Sequence, residues 1–349
     1  MSAIPATQPL LPPQLTLAMA AASIAAYAAY EGKPVSAPSD YRLVARWSGW
    51  DGDPLGGSEE LFGLLFRSTA TAGTYLFAFR GTDSDLDIYE DLDFSTTAFV
   101  PSARTVTPVP QVSAGFYGIY NGRGGAMRAS MRAQLFALLE HFAPTQVYVT
   151  GHSLGGALSQ LFSLDLALSR PGLPSRNINF CSPMVGDASW EQAYAAHIAA
   201  ADSTRCYNYW DYAPSLPPST FGYASVGQAF RTAYDVNGAW FPHLLARHSI
   251  ANMQIVLQHA LWQTPQAWSG TFADQTDPQR LMRSQIPPTT PHPAWADMAL
   301  TARAAEQALG FQEGGSGVAG GGHAMSACAA WRRARCARGH CMVPPRVPR

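Results

Sequence analysis

Residues 146–158 read QVYVTGHSLGGAL, and the fold follows from how this stretch divides. Gln146–Thr150 is a short β-branched and aromatic run, which reads as a strand. From Ser153 to Leu168 the apolar residues cover almost every side, the pattern of a helix held inside a layered core. Between them, Gly151-His152-Ser153-Leu154-Gly155 fits G-x-S-x-G. A strand that turns into a helix over such a serine is a nucleophile elbow, a sharp turn in which the serine takes a strained backbone conformation. Glycine is needed two residues to either side because a side chain there would strike neighbouring backbone. The helix N-terminus adds a dipole favourable to developing negative charge. The competing reading is an ordinary glycine turn holding a satisfied serine; the strand before and the helix after favour the elbow.

Working outward, Asn177–Cys181 reads as a strand, Ser189–Ala201 as a helix and Cys206–Trp210 as a strand. Upstream, Phe62–Phe66 and Thr74–Phe79 are apolar runs joined by the turn STATAG, so they pair as a hairpin or as neighbours. Residues 94–112 read as a loop with edge-strand pieces. Met127, Met131, Leu135, Leu138 and Phe142 recur at helical steps and predict a helix from about Gly125 to His141, stopped by Pro144. Leu15–Tyr30 reads as a buried N-terminal helix between Pro12-Pro13 and Gly32. Alternating strands and helices at these intervals predict an α/β fold, with a mostly parallel central sheet and helices on both faces.

The 349 residues are 47% apolar but only 13% charged, and the formal net charge is −1. That balance gives no warrant for nucleic-acid binding. The sum is uneven along the chain: residues 1–313 hold 17 cations against 24 acids, whereas 314–349 hold six arginines and no acid. The expected organisation is an extension (1–14), a catalytic domain (15–264), a proline-containing extension with a short helix at Trp295–Leu309 (265–313), and a basic Gly/Arg-rich tail (314–349). Five cysteines are too few for a disulfide framework at this length, and Cys328, Cys336 and Cys341 match no zinc template. Neither a metal nor a cofactor is expected. The stretch 15–30 is too short for a membrane span. No cation precedes it as a signal peptide requires, since the first is Lys33, so a cytoplasmic or leaderless chain is expected over signal-peptide secretion.

A serine nucleophile needs a base, and the base needs an orienting acid. In an elbow architecture these follow in the order Ser, Asp or Glu, His, at the ends of later strands. Asp211 directly follows CYNYW and is preferred over Asp187, at a helix entry, and Asp202, ahead of a strand. His248 opens the helix-like run SIANMQIVLQHAL and is preferred over His243 and His259, the latter inside that run.

At this point the chain resembles the class 3 lipases, the group of the filamentous-mould triacylglycerol lipases and their bacterial relatives. The likeness runs over about residues 15–262. Phe79-Arg80-Gly81-Thr82 is followed by Ser84, Asp87, Asp91 and Leu92, then by Gly115-Phe116 and GHSLGGAL. Ser182-Pro183-Met184-Val185-Gly186, Asp211 with Leu216-Pro217-Pro218, Gly222-Tyr223 with Val226-Gly227, and His248-Ser249 complete the order. Two places depart from the pattern: Ile88 stands for a tryptophan, and Ser113-Ala114 for a histidine before Gly-Phe. The resemblance implies an α/β-hydrolase fold, Ser153–Asp211–His248 as the triad, and Thr82 and Leu154 as oxyanion donors. It gives Asp91 the role of orienting the Thr82 hydroxyl.

Residues 83–93 hold six acids over Leu86, Ile88, Tyr89 and Leu92. They read as a lid helix that opens at a lipid–water interface, or as a fixed helix over the core; they lack the ligand order of a calcium loop. The expected activity is hydrolysis of acylglycerol esters through an acyl-enzyme. A phospholipase of effector type would use the same triad, and a non-catalytic binding scaffold is the remaining class.

Overall fold

The computed structural model describes residues 11–52, 57–82, 95–103, 105–208, 211, 213–217, 221–232 and 247–262. The expectations for 83–93, His243, the helix at 295–309 and the basic tail lie outside these residues. All described residues fall within one of the chain's two units, Met1–Thr289.

The N-terminal helix α1 runs Pro13–Tyr30, with proline at its first position, where the missing N–H costs nothing. Strands β1 (Tyr41–Asp51), β2 (Ser58–Ser68) and β3 (Thr74–Phe79) then form an antiparallel meander. The short strands β4 (Thr96–Ala98) and β5 (Gln111–Ser113) lead into helices α2 (Ala114–Asn121) and α3 (Met131–Phe142). Strand β6 (Gln146–Gly151), helix α4 (Leu154–Ser169), strand β7 (Ser175–Phe180), strand β8 (Gly186–Asp187), helix α5 (Ala188–His197) and strand β9 (Ser203–Asn208) follow. Strands β10 (Tyr223–Ala224) and β11 (Gln228–Thr232) and helix α6 (Ile250–Trp262) complete the described part. The main sheet has the order β1-β2-β3-β6-β7-β9-β11 and is parallel from β3 onward; β10-β8-β5-β4 form a smaller sheet.

Strand β3 (TYLFAF) is buried along its whole length, as a central strand covered on both faces must be. Its alternate residues feed two cores. Tyr75, Phe77 and Phe79 join Val147, Val149 and the apolar side of α4. Leu76 and Ala78 join Met19, Ala22 and Ala26 of α1 and Met253, Val256 and Leu257 of α6. Every residue of α4 except Ala167 is buried. Its one carboxylate, Asp165, accepts from Tyr120 Oη (2.9 Å), the Ser102 N–H (2.6 Å) and Ser169 Oγ (3.0 Å).

Several elements differ from their expected bounds. The third helix begins at Met131, not near Gly125, because Ser130 caps it by accepting the Ala133 N–H (3.2 Å). Gly125 turns the chain just before, at φ +53°. Met127 is buried all the same, which is why it extended the apolar stripe. The strand expected at Cys206–Trp210 starts earlier, at Ser203, where parallel register with β7 pairs Asn177 with Ser203. The helix expected to reach Ala201 ends at His197 and is followed by a separate 3-10 turn, Ala200–Asp202. Among the described residues no helix is long and apolar enough to cross a membrane.

Candidate active site

Strand β6 ends at Gly151, and α4 begins at Leu154. Ser153 sits between them at φ +56°, ψ −128°, a conformation that a residue with a β-carbon rarely takes. It is held there by its N–H donating to the Phe180 carbonyl (3.0 Å) and by the Gly156 N–H donating to the Ser153 carbonyl (2.8 Å). The turn is too tight for side chains on its glycines. A β-carbon on Gly151 would lie 2.1 Å from the Gly155 oxygen, and one on Gly155 would lie 2.5 Å from the Phe79 oxygen. Ser153 is 1% exposed, and its Oγ has no hydrogen-bond partner among the described residues.

Asp211 and His248 come together although 37 residues separate them. Asp211 lies just beyond β9, where its N–H donates to the Asn208 carbonyl (3.0 Å). Its Oδ1 accepts the Ala213 N–H (3.0 Å), and its Oδ2 accepts from His248 Nδ1 (2.8 Å). Both side chains are buried. A neutral imidazole that donates from Nδ1 carries its lone pair on Nε2, the tautomer a base requires. The rival acids are engaged elsewhere. Asp187 caps α5 by accepting the Ser189 and Trp190 N–H groups, and Asp202 pairs with Arg176. His259 falls on α6, in its last turn.

Arg80-Gly81-Thr82 crosses directly over the elbow. A β-carbon on Gly81 would lie 2.7 Å from the His152 oxygen and 3.1 Å from Ser153 Cβ. Thr82 Oγ1 is buried with no partner among the described residues. Leu154 opens α4, so its N–H has no acceptor within the helix. Arg80 fixes this loop from beneath. Its guanidinium lies between the rings of Tyr30 (3.8 Å) and Phe62 (4.4 Å). It also donates to the Leu61 and Gly81 carbonyls (2.8 Å each) and pairs with Glu60 (2.7 Å). Asp91 and the segment that contains it lie outside the described residues.

His152, the unspecified position of the motif, carries a role the sequence did not reveal. Its Nε2 lies 2.7 Å from the His248 carbonyl oxygen, and its Nδ1 lies 2.9 Å from Tyr27 Oη. A carbonyl can only accept, so Nε2 carries the hydrogen and Nδ1 accepts from the tyrosine. Burial, and then the neighbouring His248, push the His152 pKa well below its usual value. The ring therefore stays neutral. His152, Cys181 and His248 also bring donor atoms within 4.8 Å of one another. They do not suit a metal: both His152 nitrogens and Nδ1 of His248 are already engaged. Burial, moreover, drives the Cys181 thiol pKa far up, against the thiolate a metal would need.

The family model for lipase (class 3) matches residues 76–221. A lipase from Rhizomucor miehei is 31% identical over 162 residues, covering 45% of this chain and 41% of that protein. Phospholipase A1-II 4 from Oryza sativa subsp. japonica is 30% identical over 205 residues, covering 54% of this chain and 50% of that protein. The chain thus spans about half or less of the length of these relatives. Among solved structures, the Yarrowia lipolytica Lip2 lipase superposes with a TM-score of 0.51 at 20% identity, covering 65% of this chain and 81% of that one; this likeness concerns the fold alone. Residues 76–221 are thus similar to the class 3 lipases, and the elbow and the sheet order agree with that likeness.

Proposed function

We propose that the chain is a serine carboxylic-ester hydrolase that cleaves acylglycerols. The observation that carries this reading is the buried Asp211–His248 pair in the same fold as a strained serine whose hydroxyl has no partner among the described residues. His248 Nε2 takes the Ser153 proton as Oγ attacks the ester carbonyl. The Leu154 N–H, with the Thr82 N–H and hydroxyl, holds the tetrahedral oxyanion. His248 then protonates the leaving alcohol, and water repeats the cycle on the acyl-enzyme. Asp91 would orient the Thr82 hydroxyl. Residues 83–93, with Leu86, Ile88, Tyr89 and Leu92 as their apolar side, would cover the site until a lipid–water interface draws them away.

A second reading, phospholipase activity with the same triad, is favoured by the relative named phospholipase A1-II 4. One series tests both. On p-nitrophenyl butyrate, Ser153→Ala is expected to lower kcat by about 10⁵–10⁶. A variant as active as the parent overturns the assignment. Offered tributyrin and phosphatidylcholine in turn, the parent should release fatty acid faster from tributyrin, with a jump in rate at its solubility limit; the reverse preference selects the phospholipase.

A further inference from the structure

Helix α1 runs beside the end of β6 and carries the hydroxyls of Ser23 and Tyr27, one turn apart, toward it. Ser23 Oγ lies 3.4 Å from Thr150 Oγ1, and Tyr27 Oη lies 2.9 Å from His152 Nδ1. Residues four apart share a helix face and residues two apart share a strand side, so helix and chain stay in step from the strand into the elbow. His152 still pairs with Phe180 in the parallel sense of the sheet. The Tyr27 hydroxyl is confined as well: a β-carbon on Gly81 would lie 2.2 Å from it. Across the ring, His152 Nε2 lies 2.7 Å from the carbonyl oxygen of His248, 96 residues further along the chain. The two imidazoles are both buried, with centroids 4.6 Å apart and planes tilted by 47°.

His248 is held from several directions. Asp211 Oδ2 accepts from Nδ1 of its ring (2.8 Å), and Asn208 Nδ2 donates to the carbonyl of the preceding Arg247 (3.3 Å). Both of these partners come from the end of β9, whereas His152 is the residue next to Ser153. The backbone that carries the serine therefore also grips the backbone that carries the base, and the spacing of the two is set locally. A neutral imidazole has a single N–H, which can serve the His248 carbonyl only while it stays on Nε2. By donating to Nδ1, the Tyr27 hydroxyl selects that tautomer. We infer that Tyr27 and His152 are positioning residues for ester hydrolysis: Tyr27 keeps the His152 proton on Nε2, and that N–H holds the His248 backbone at a fixed distance from Ser153. The inference rests on the triad reading above. The pair acts on turnover through the base and leaves the ester-binding surface alone.

The test reads kcat and KM separately for p-nitrophenyl butyrate in the full-length parent and in Tyr27→Phe, His152→Leu, His152→Gln, the double variant Tyr27→Phe/His152→Gln and Ser153→Ala. Phenylalanine keeps the ring of Tyr27 and removes only the hydroxyl. Glutamine brings an amide N–H near the place of Nε2 and has no tautomer to select. Tyr27→Phe should lower kcat about 3- to 10-fold, and His152→Leu about 10- to 100-fold, each with KM within about twofold of the parent. His152→Gln should recover most of what leucine loses. In that glutamine background Tyr27→Phe should cost nothing further, because the hydroxyl no longer has a proton to direct. A hydroxyl that merely packs would cost the same in both backgrounds; that result overturns the inference, as does an unchanged kcat in Tyr27→Phe. If His152→Leu does not fold, the two phenylalanine comparisons decide by themselves. A fully active Ser153→Ala would instead remove the triad itself, and the inference with it.

Discussion

His152 is the residue whose role depends most on its surroundings and least on its motif. The ring bridges Tyr27 and the His248 carbonyl and stays neutral because burial opposes its protonation. Above about pH 6.5 the ring is neutral in both folded and unfolded chains. Below that, the unfolded chain binds a proton that the folded one refuses, so this contribution to stability is complete above 6.5 and is lost as the pH falls. Urea midpoints measured at pH 7.5 and 5.0 should therefore fall on acidification, and the fall should be smaller in His152→Gln. Sequence reasoning passed over this residue because G-x-S-x-G leaves the position open. Ser153, Asp211 and His248 stood out in the sequence for the opposite reason: each sits where a strand end or helix start is marked by glycine, proline or an abrupt change of apolar pattern, and the proposed triad rests on them.

At the scale of elements, the reading succeeded where burial is two-sided and failed where it is not. The runs of β3, β6 and β7, with α4, lie in the covered centre, where apolar continuity survives every local irregularity. Strand β1 escaped notice because it lies at the sheet edge, and Arg42, Arg46 and Ser48 break its apolar run. Helix α2 is only eight residues long, and β11 is five residues with alternating exposure. The loop after β3 depends on Arg80, whose planar fork reaches two carbonyls and a carboxylate while its faces rest on rings. Lysine keeps the charge but cannot make that fork. Arg80→Lys should lower kcat by about 10- to 100-fold with little change in KM, because it loosens Gly81-Thr82 rather than the ester-binding surface. Steady-state kinetics on p-nitrophenyl butyrate separates the two constants; a change confined to KM would contradict this role for Arg80.

For the whole molecule, the net charge of −1 conceals an acidic segment (1–313) and a cationic one (314–349). The family match stops at residue 221, and the last described helix ends at Trp262, so every group assigned to the chemistry precedes the basic segment. Removing residues 314–349 should leave ester hydrolysis unchanged, as measured by kcat/KM on p-nitrophenyl butyrate at equal protein concentration. A dead truncation would mean that the cationic segment completes the hydrolase.

Helix α1 lies outside the family match, yet it reaches both sides of the site: Tyr27 holds His152, and Tyr30 covers Arg80. It also packs against α6, which directly follows His248. The first and the last described helices therefore close upon the same few atoms. If the proposed triad is the hydrolytic one, a nascent chain stays silent toward esters until His248, more than two hundred residues after α1, has been synthesised. On the proposed function, the onset of hydrolysis during translation would mark the moment when the first and last described helices meet.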